Sequence, residues 1–173
     1  MSTIAALLQL LIAAAFVSIP IVRHRYGAAA KAHAETELRR QNVPVTVLED
    51  NNLSFDASGH ETAAPVAIAA VMTVLAGLNF AATPWGQTLT WAVQPLLILG
   101  NAMILYSNLT AARSVTAAFA RTGDPILARI DVPALLRASE QGFPRWVMPI
   151  LQNIRHAIVF LGSVLVLIAI AVG

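Results

Sequence analysis

The chain has 173 residues, 57% of them apolar and only 12% charged, a composition that excludes an ordinary soluble fold. By length it is one domain, residues 1–173. Net charge is only +2 and no basic stripe interleaves with aromatics, which argues against nucleic acid as a partner. The absence of cysteine excludes disulfides, thiolate chemistry and cysteine-ligated metal clusters.

All 11 Lys and Arg fall in two stretches, roughly 23–62 and 113–156, leaving four long uncharged segments. A membrane-spanning helix needs about 20 mostly apolar residues. The expected fold class is therefore an all-α membrane protein, a four-transmembrane-helix bundle with spans at about 3–22, 63–82, 88–111 and 150–172. The first span is interrupted only by Gln9, Ser18 and Pro20. It reads as retained rather than as a cleaved signal, because Arg23, Arg25 and Lys31 follow the apolar stretch instead of preceding it.

Lys and Arg favour the cytoplasmic side of a bilayer. This rule places residues 23–62 and 112–149 inside, both termini outside, and a tight outer turn at Thr83 to Gln87. Interfacial aromatics agree: Trp85 and Trp91 flank that turn, while Tyr26, Phe143 and Trp146 sit beside inner arginines. The abundance of Ala and of Arg over Lys suggests a GC-rich bacterial genome and hence the plasma (inner) membrane. Anionic headgroups on the cytoplasmic side are expected partners of the basic loops.

Within the first inner loop, AAAKAHAETELRRQ should extend the first helix, with Glu35 and Arg39 at the supportive i,i+4 spacing. Residues 43–56 read as a small β-hairpin: Val45, Val47 and Leu48 favour a strand, Asp50-Asn51-Asn52 a turn, and Leu53 to Phe55 a returning strand. The positions Asp50, Asn52, Ser54, Asp56, Ser58 and Glu61 imitate a calcium loop. Phe55 stands where that loop needs glycine, so no metal is expected. The third span should continue through Ala112, Val115 and Phe119 to Thr122-Gly123, where glycine suits a helix C-terminus. Asp124-Pro125 and Asp131 with Pro133 then mark two short helix starts, and Gly142 an end.

The span interiors hold no Asp, Glu, Lys or Arg, and proton-coupled carriers generally need such groups at membrane depth. Gln9, Asn79, Gln94 and Asn101 are the strongly polar side chains of the spans, expected to bond between helices. Ala69, Thr73 and Gly77 form a small-residue stripe, a close-packing face for a helix.

A basic cluster, Arg23, His24, Arg25, Arg155 and His156, gathers where the first span ends and the fourth begins. It reads chiefly as a belt reaching to lipid headgroups. Histidines on two helices of a bundle can also hold haem, and the arginines suit an anionic or quinone ligand. No catalytic residue is identified. The spans' layout is similar to that of membrane-bound glutathione transferases, but their Arg-rich run leading to Asn-x-x-Glu has no counterpart here.

Three functions follow. The first is a non-catalytic accessory or assembly subunit with a membrane-protein partner or a second copy of itself. The second is a ligand-binding or redox protein using the Arg/His cluster, and the third a small oligomeric transporter or channel lined by Gln94 and Asn101.

Overall fold

A computed structural model describes residues 2–51, 53–55 and 60–172. In order, the helices are α1 (Ser2–Arg40), α2 (Val47–Asp50), α3 (His60–Phe80), α4 (Pro84–Thr122), α5 (Val132–Gln141) and α6 (Gln152–Val172). A 3₁₀ turn, Leu127–Arg129, precedes α5, and a π-helical turn, Val147–Leu151, leads into α6. Four helices are long and apolar enough to cross a membrane: α1, α3, α4 and the segment Pro149–Val172. The chain is a multi-pass helical membrane bundle.

α1 and α4 have 39 residues each, about 58 Å at 1.5 Å per residue. That is nearly twice a hydrocarbon core of roughly 30 Å. Only the apolar part of each spans, and from Arg23 onward α1 is too charged to remain in lipid.

The chain divides into two compact units. The first comprises residues 1–21, 59–105 and 150–173, the second 22–58 and 106–149. The division follows charge: Arg155 is the one Lys or Arg of the first unit, and the other ten belong to the second. In the first unit, Ile12, Ala13 and Phe16 of α1 pack with Ala69, Met72 and Leu75 of α3, Leu97 of α4 and Val159 of α6. A side chain at Gly162 would come within 3.3 Å of Ile12, so glycine there lets α1 and α6 approach closely.

In the second unit, Ala34, Leu38, Val43, Val47 and Leu48 close over Phe119, Leu127, Ile130, Val132 and Leu135. Local signals set its helix ends. Asn42 at φ 55° ends α1, with Val43 N–H donating to Leu38 O at 2.9 Å and Asn42 N–H to Arg39 O at 3.0 Å. This pairing caps the last carbonyls and brings Val43 onto Leu38. α4 ends at Thr122 before Gly123 at φ 69°. Asp131 Oδ1 accepts from Ala134 N–H at 2.9 Å, starting α5 with Pro133 in its first turn. A side chain at Gly142 would collide with the Ala29–Ala30 backbone, so the end of α5 lies directly on α1.

The hairpin expected at 43–56 does not form: residues 47–50 are a helical turn, and no strand occurs among the described residues. The reason is burial. Val47 and Leu48 are adjacent and both buried, which a strand, with side chains on alternate faces, cannot arrange on one core. Asp50 N–H donates to Thr46 O at 2.9 Å instead. Asn52, Asp56 and Ser58, half of the calcium-loop imitation, lie outside the described residues.

A polar clasp joins the end of α1 to the start of α5. Glu37 accepts from Arg40 at 2.6 and 2.8 Å and from Gln41 Nε2 at 2.7 Å. Gln41 Oε1 accepts from Asp131 N–H at 2.8 Å. The Arg40 and then the Gln41 hydrogen bonds hold the Glu37 carboxyl well below its ordinary value, at about 2. Because folding lowers this pKa, ionised Glu37 stabilises the second unit above about pH 4.5, and that contribution is lost as pH falls toward 2. Glu37→Gln is therefore expected to flatten the loss of thermal stability between pH 5 and pH 2 in detergent. Identical pH profiles for variant and native protein would contradict the clasp.

Candidate functional site

α4 presents Thr90, Gln94, Leu97 and Asn101 on one buried face, the i, i+4, i+7, i+11 spacing of an inward stripe. Three of the four are polar: Thr90 meets α1 and α3, and Gln94 and Asn101 both meet α6. Thr90 Oγ1 accepts from Gln9 Nε2 of α1 at 3.1 Å and from Asn79 Nδ2 of α3 at 2.9 Å. Its own hydroxyl donates to Gly86 O at 2.7 Å, and Asn79 Nδ2 donates to Gln9 Oε1 at 3.0 Å. One knot thus ties three spans. Gln94 Nε2 donates to Ser163 Oγ of α6 at 2.9 Å.

The α3–α4 turn that positions Asn79 and Thr90 is tight. Ala82 adopts φ 51°, with Thr83 N–H donating to Leu78 O at 3.1 Å. A residue with a Cβ is strained there by about 1–2 kcal/mol. Thr83 Oγ1 caps α4 by accepting from Gly86 N–H at 3.1 Å. Gly86 itself has room for nothing larger, since a Cβ would stand 2.9 Å from the Leu78 carbonyl.

The third rung is a chain: Arg155 Nη2 lies 3.2 Å from His156 Nε2, and His156 Nδ1 lies 2.9 Å from Asn101 Oδ1. Its direction follows from donor chemistry. Arginine only donates, so Nε2 accepts and the imidazole proton sits on Nδ1. Nδ1–H then donates to Asn101, which identifies the facing atom as the oxygen and leaves the amide nitrogen pointing elsewhere. Asn101 Nδ2 is buried and without a partner among the described residues, as are Asn79 Oδ1 and Gln94 Oε1.

Beside this rung is a cavity of about 300 Å³ between α1, α3 and α4. Phe16, Ile68, Met72, Val93 and Leu97 line it, together with Gly100 and Asn101. Asn101 is the one polar side chain of that lining.

The basic cluster read from the sequence is divided. Arg155 and His156 belong to the first unit, whereas Arg23, His24 and Arg25 belong to the second. His24 and Arg25 are exposed and Arg23 half-buried, with the Arg25 guanidinium 6.0 Å from the Tyr26 ring centre. The proton of His156 sits on Nδ1 and its Nε2 lone pair is engaged by Arg155, so no ring lone pair is open to a haem iron in this arrangement. Among the described residues no three His, Asp or Glu gather as a metal site. The small-residue stripe is also split: Ala69 packs in the core, while Thr73 and Gly77 are exposed together with Ala70.

Sequence reasoning identified Gln9, Asn79, Gln94, Asn101 and His156 but not Thr90 or Ser163. Hydroxyls are common in spans, and only the α4 spacing singles out Thr90. No protein family, no curated protein and no solved structure matches the chain.

The ladder's energetics are open to measurement. Interhelical side-chain bonds in membranes contribute about 0.6 kcal/mol on average and up to about 1.7 kcal/mol. A double-mutant cycle of Gln94→Leu with Ser163→Ala should give a coupling in that range by denaturant unfolding in micelles. Strict additivity would contradict the bond.

Proposed function

We propose that this protein is a non-catalytic accessory or assembly subunit of a larger complex in a bacterial plasma membrane. The observation that carries the reading is the outer face of α3. Ala70, Thr73 and Gly77 are exposed there, and a side chain built at Gly77 would meet nothing within 4 Å. Lipid is as apolar as a leucine surface, so helices associate in membranes through close van der Waals contact, which small residues permit. A shallow line of Ala, Thr and Gly suits the backbone of a further helix, from a partner protein or from a second copy of this chain. The ladder supports the same reading from within. Its polar groups tie α1, α3, α4 and α6 into a bundle, as a structural subunit requires.

Both termini are assigned to the outside and the second unit's charged segments to the cytoplasm. The support is the partition of Lys and Arg, ten of which fall in residues 22–58 and 106–149. Anionic lipid headgroups are the natural neighbours of Arg113, Arg121 and Arg145 there.

Two experiments test these assignments. Native mass spectrometry from mild detergent should find the chain bound to another membrane chain or to itself, and Gly77→Ile should release it without unfolding the monomer. A monomer indifferent to that substitution would reject the subunit reading. Because the chain contains no cysteine, single cysteines report sidedness cleanly. In intact cells a membrane-impermeant maleimide should label Thr83→Cys and spare Glu49→Cys. The reverse pattern would invert the topology.

A further inference from the structure

We propose that the cavity beside Asn101 binds an apolar carbonyl compound dissolved in the bilayer, of the alkyl- or prenyl-substituted quinone class. This site does not depend on the partner-helix reading, since it faces a different set of residues and needs no second chain.

The lining sets the ligand's body. Phe16, Ile68, Met72, Val93 and Leu97 offer carbon contact, and nothing in the cavity wall carries charge. A volume of about 300 Å³ stands at the small end of ligand sites and suits a single substituted ring. Val71 and Leu96, which also border the cavity, are 45% and 66% exposed. The cavity thus opens laterally between α3 and α4, and an alkyl tail can leave toward lipid.

Asn101 sets the ligand's polar atom. Arg155 donates to His156, and His156 donates to Asn101 Oδ1. Of the buried side-chain atoms without a partner among the described residues, the one that belongs to a cavity-lining residue is the amide nitrogen of Asn101, a donor. An unsatisfied buried donor is costly, and a neutral acceptor in the cavity relieves it. The chain of donors starting at a cation polarises that N–H and strengthens it toward a carbonyl oxygen. A ligand that can only donate gains nothing here.

Depth separates two sources of carbonyl. Asn101 shares its depth with His156, to which it is bonded, about 9 Å inside the inner end of the 150–172 span at 1.5 Å per residue. Phospholipid ester carbonyls lie in the interfacial region outside the hydrocarbon. A quinone ring that partitions into the core reaches this depth freely, whereas an anchored ester reaches it only by drawing its headgroup inward.

The test is equilibrium binding of radiolabelled decyl-benzoquinone to the full chain in nanodiscs of ether-linked phosphatidylcholine, which carry no ester carbonyl. One saturable site per chain is expected. Decylbenzene, with the same tail and no carbonyl, should compete about ten-fold more weakly, the loss of one hydrogen bond. Asn101→Leu should weaken quinone binding to a similar degree. Gly100 also lines the cavity and has open space at its Cβ. Gly100→Leu should therefore abolish binding while leaving every rung of the ladder intact. Non-saturable partitioning, equal competition by decylbenzene, or full binding by Gly100→Leu would each overturn the proposal. Loss of quinone binding in ester-lipid nanodiscs would assign the cavity to a lipid carbonyl instead and overturn the quinone class.

Discussion

Hydrocarbon offers a buried amide nothing to bond to, and that constraint organises the membrane bundle. α4 carries Thr90, Gln94 and Asn101 on one face. Turned toward lipid, Gln94 and Asn101 would lose these hydrogen bonds outright, and Thr90 would keep only its own donation to Gly86 O. Turned inward, they find Gln9 and Asn79, Ser163, and His156. Apolar contacts alone could not fix the rotation of α4, because lipid tails satisfy Leu and Val as well as another helix does. The Ile12–Phe16–Met72–Val159 core fills the space between rungs whose register the polar bonds determine.

The second unit answers to different physics. It holds ten of the 11 Lys and Arg, and its core of Leu38, Val43, Phe119, Ile130 and Leu135 is a compact apolar cluster. Burial of that kind is driven by exclusion of water, so the unit depends first on tight helix ends. Asn42, Gly123 and Asp131 supply the ends, and Gln41 links two of them by bonding Asp131 N–H. α1 and α4 contribute residues to both units.

Local signals were the legible ones. The extension of α1 through Arg40, the Glu35–Arg39 pair at 3.4 Å, the stop at Gly123 and the start at Asp131 each depend on residues within a few positions of one another. The hairpin reading went astray because Val47 and Leu48 have strand propensity, yet a shared core buried both and a helical turn satisfied it. His24 and His156 read as a pair because both lie near span ends. Depth along a helix says nothing of direction around it: His156 turns inward onto Asn101, and His24 is exposed. Thr90 and Ser163 escaped notice since a hydroxyl in a span is unremarkable until its partner is known.

The number of spans, their approximate limits and the segregation of charge were determined by sequence alone. Hydropathy is a sum over about 20 consecutive residues and needs no knowledge of neighbours. Tertiary structure decided which polar group bonds which, that Thr73 and Gly77 face outward, and that the Asn101 amide is left with an unused donor. Those outcomes depend on how each helix is rotated about its axis. Each residue advances that rotation by about 100°, so a side chain's partner follows only once all four helices have settled against one another.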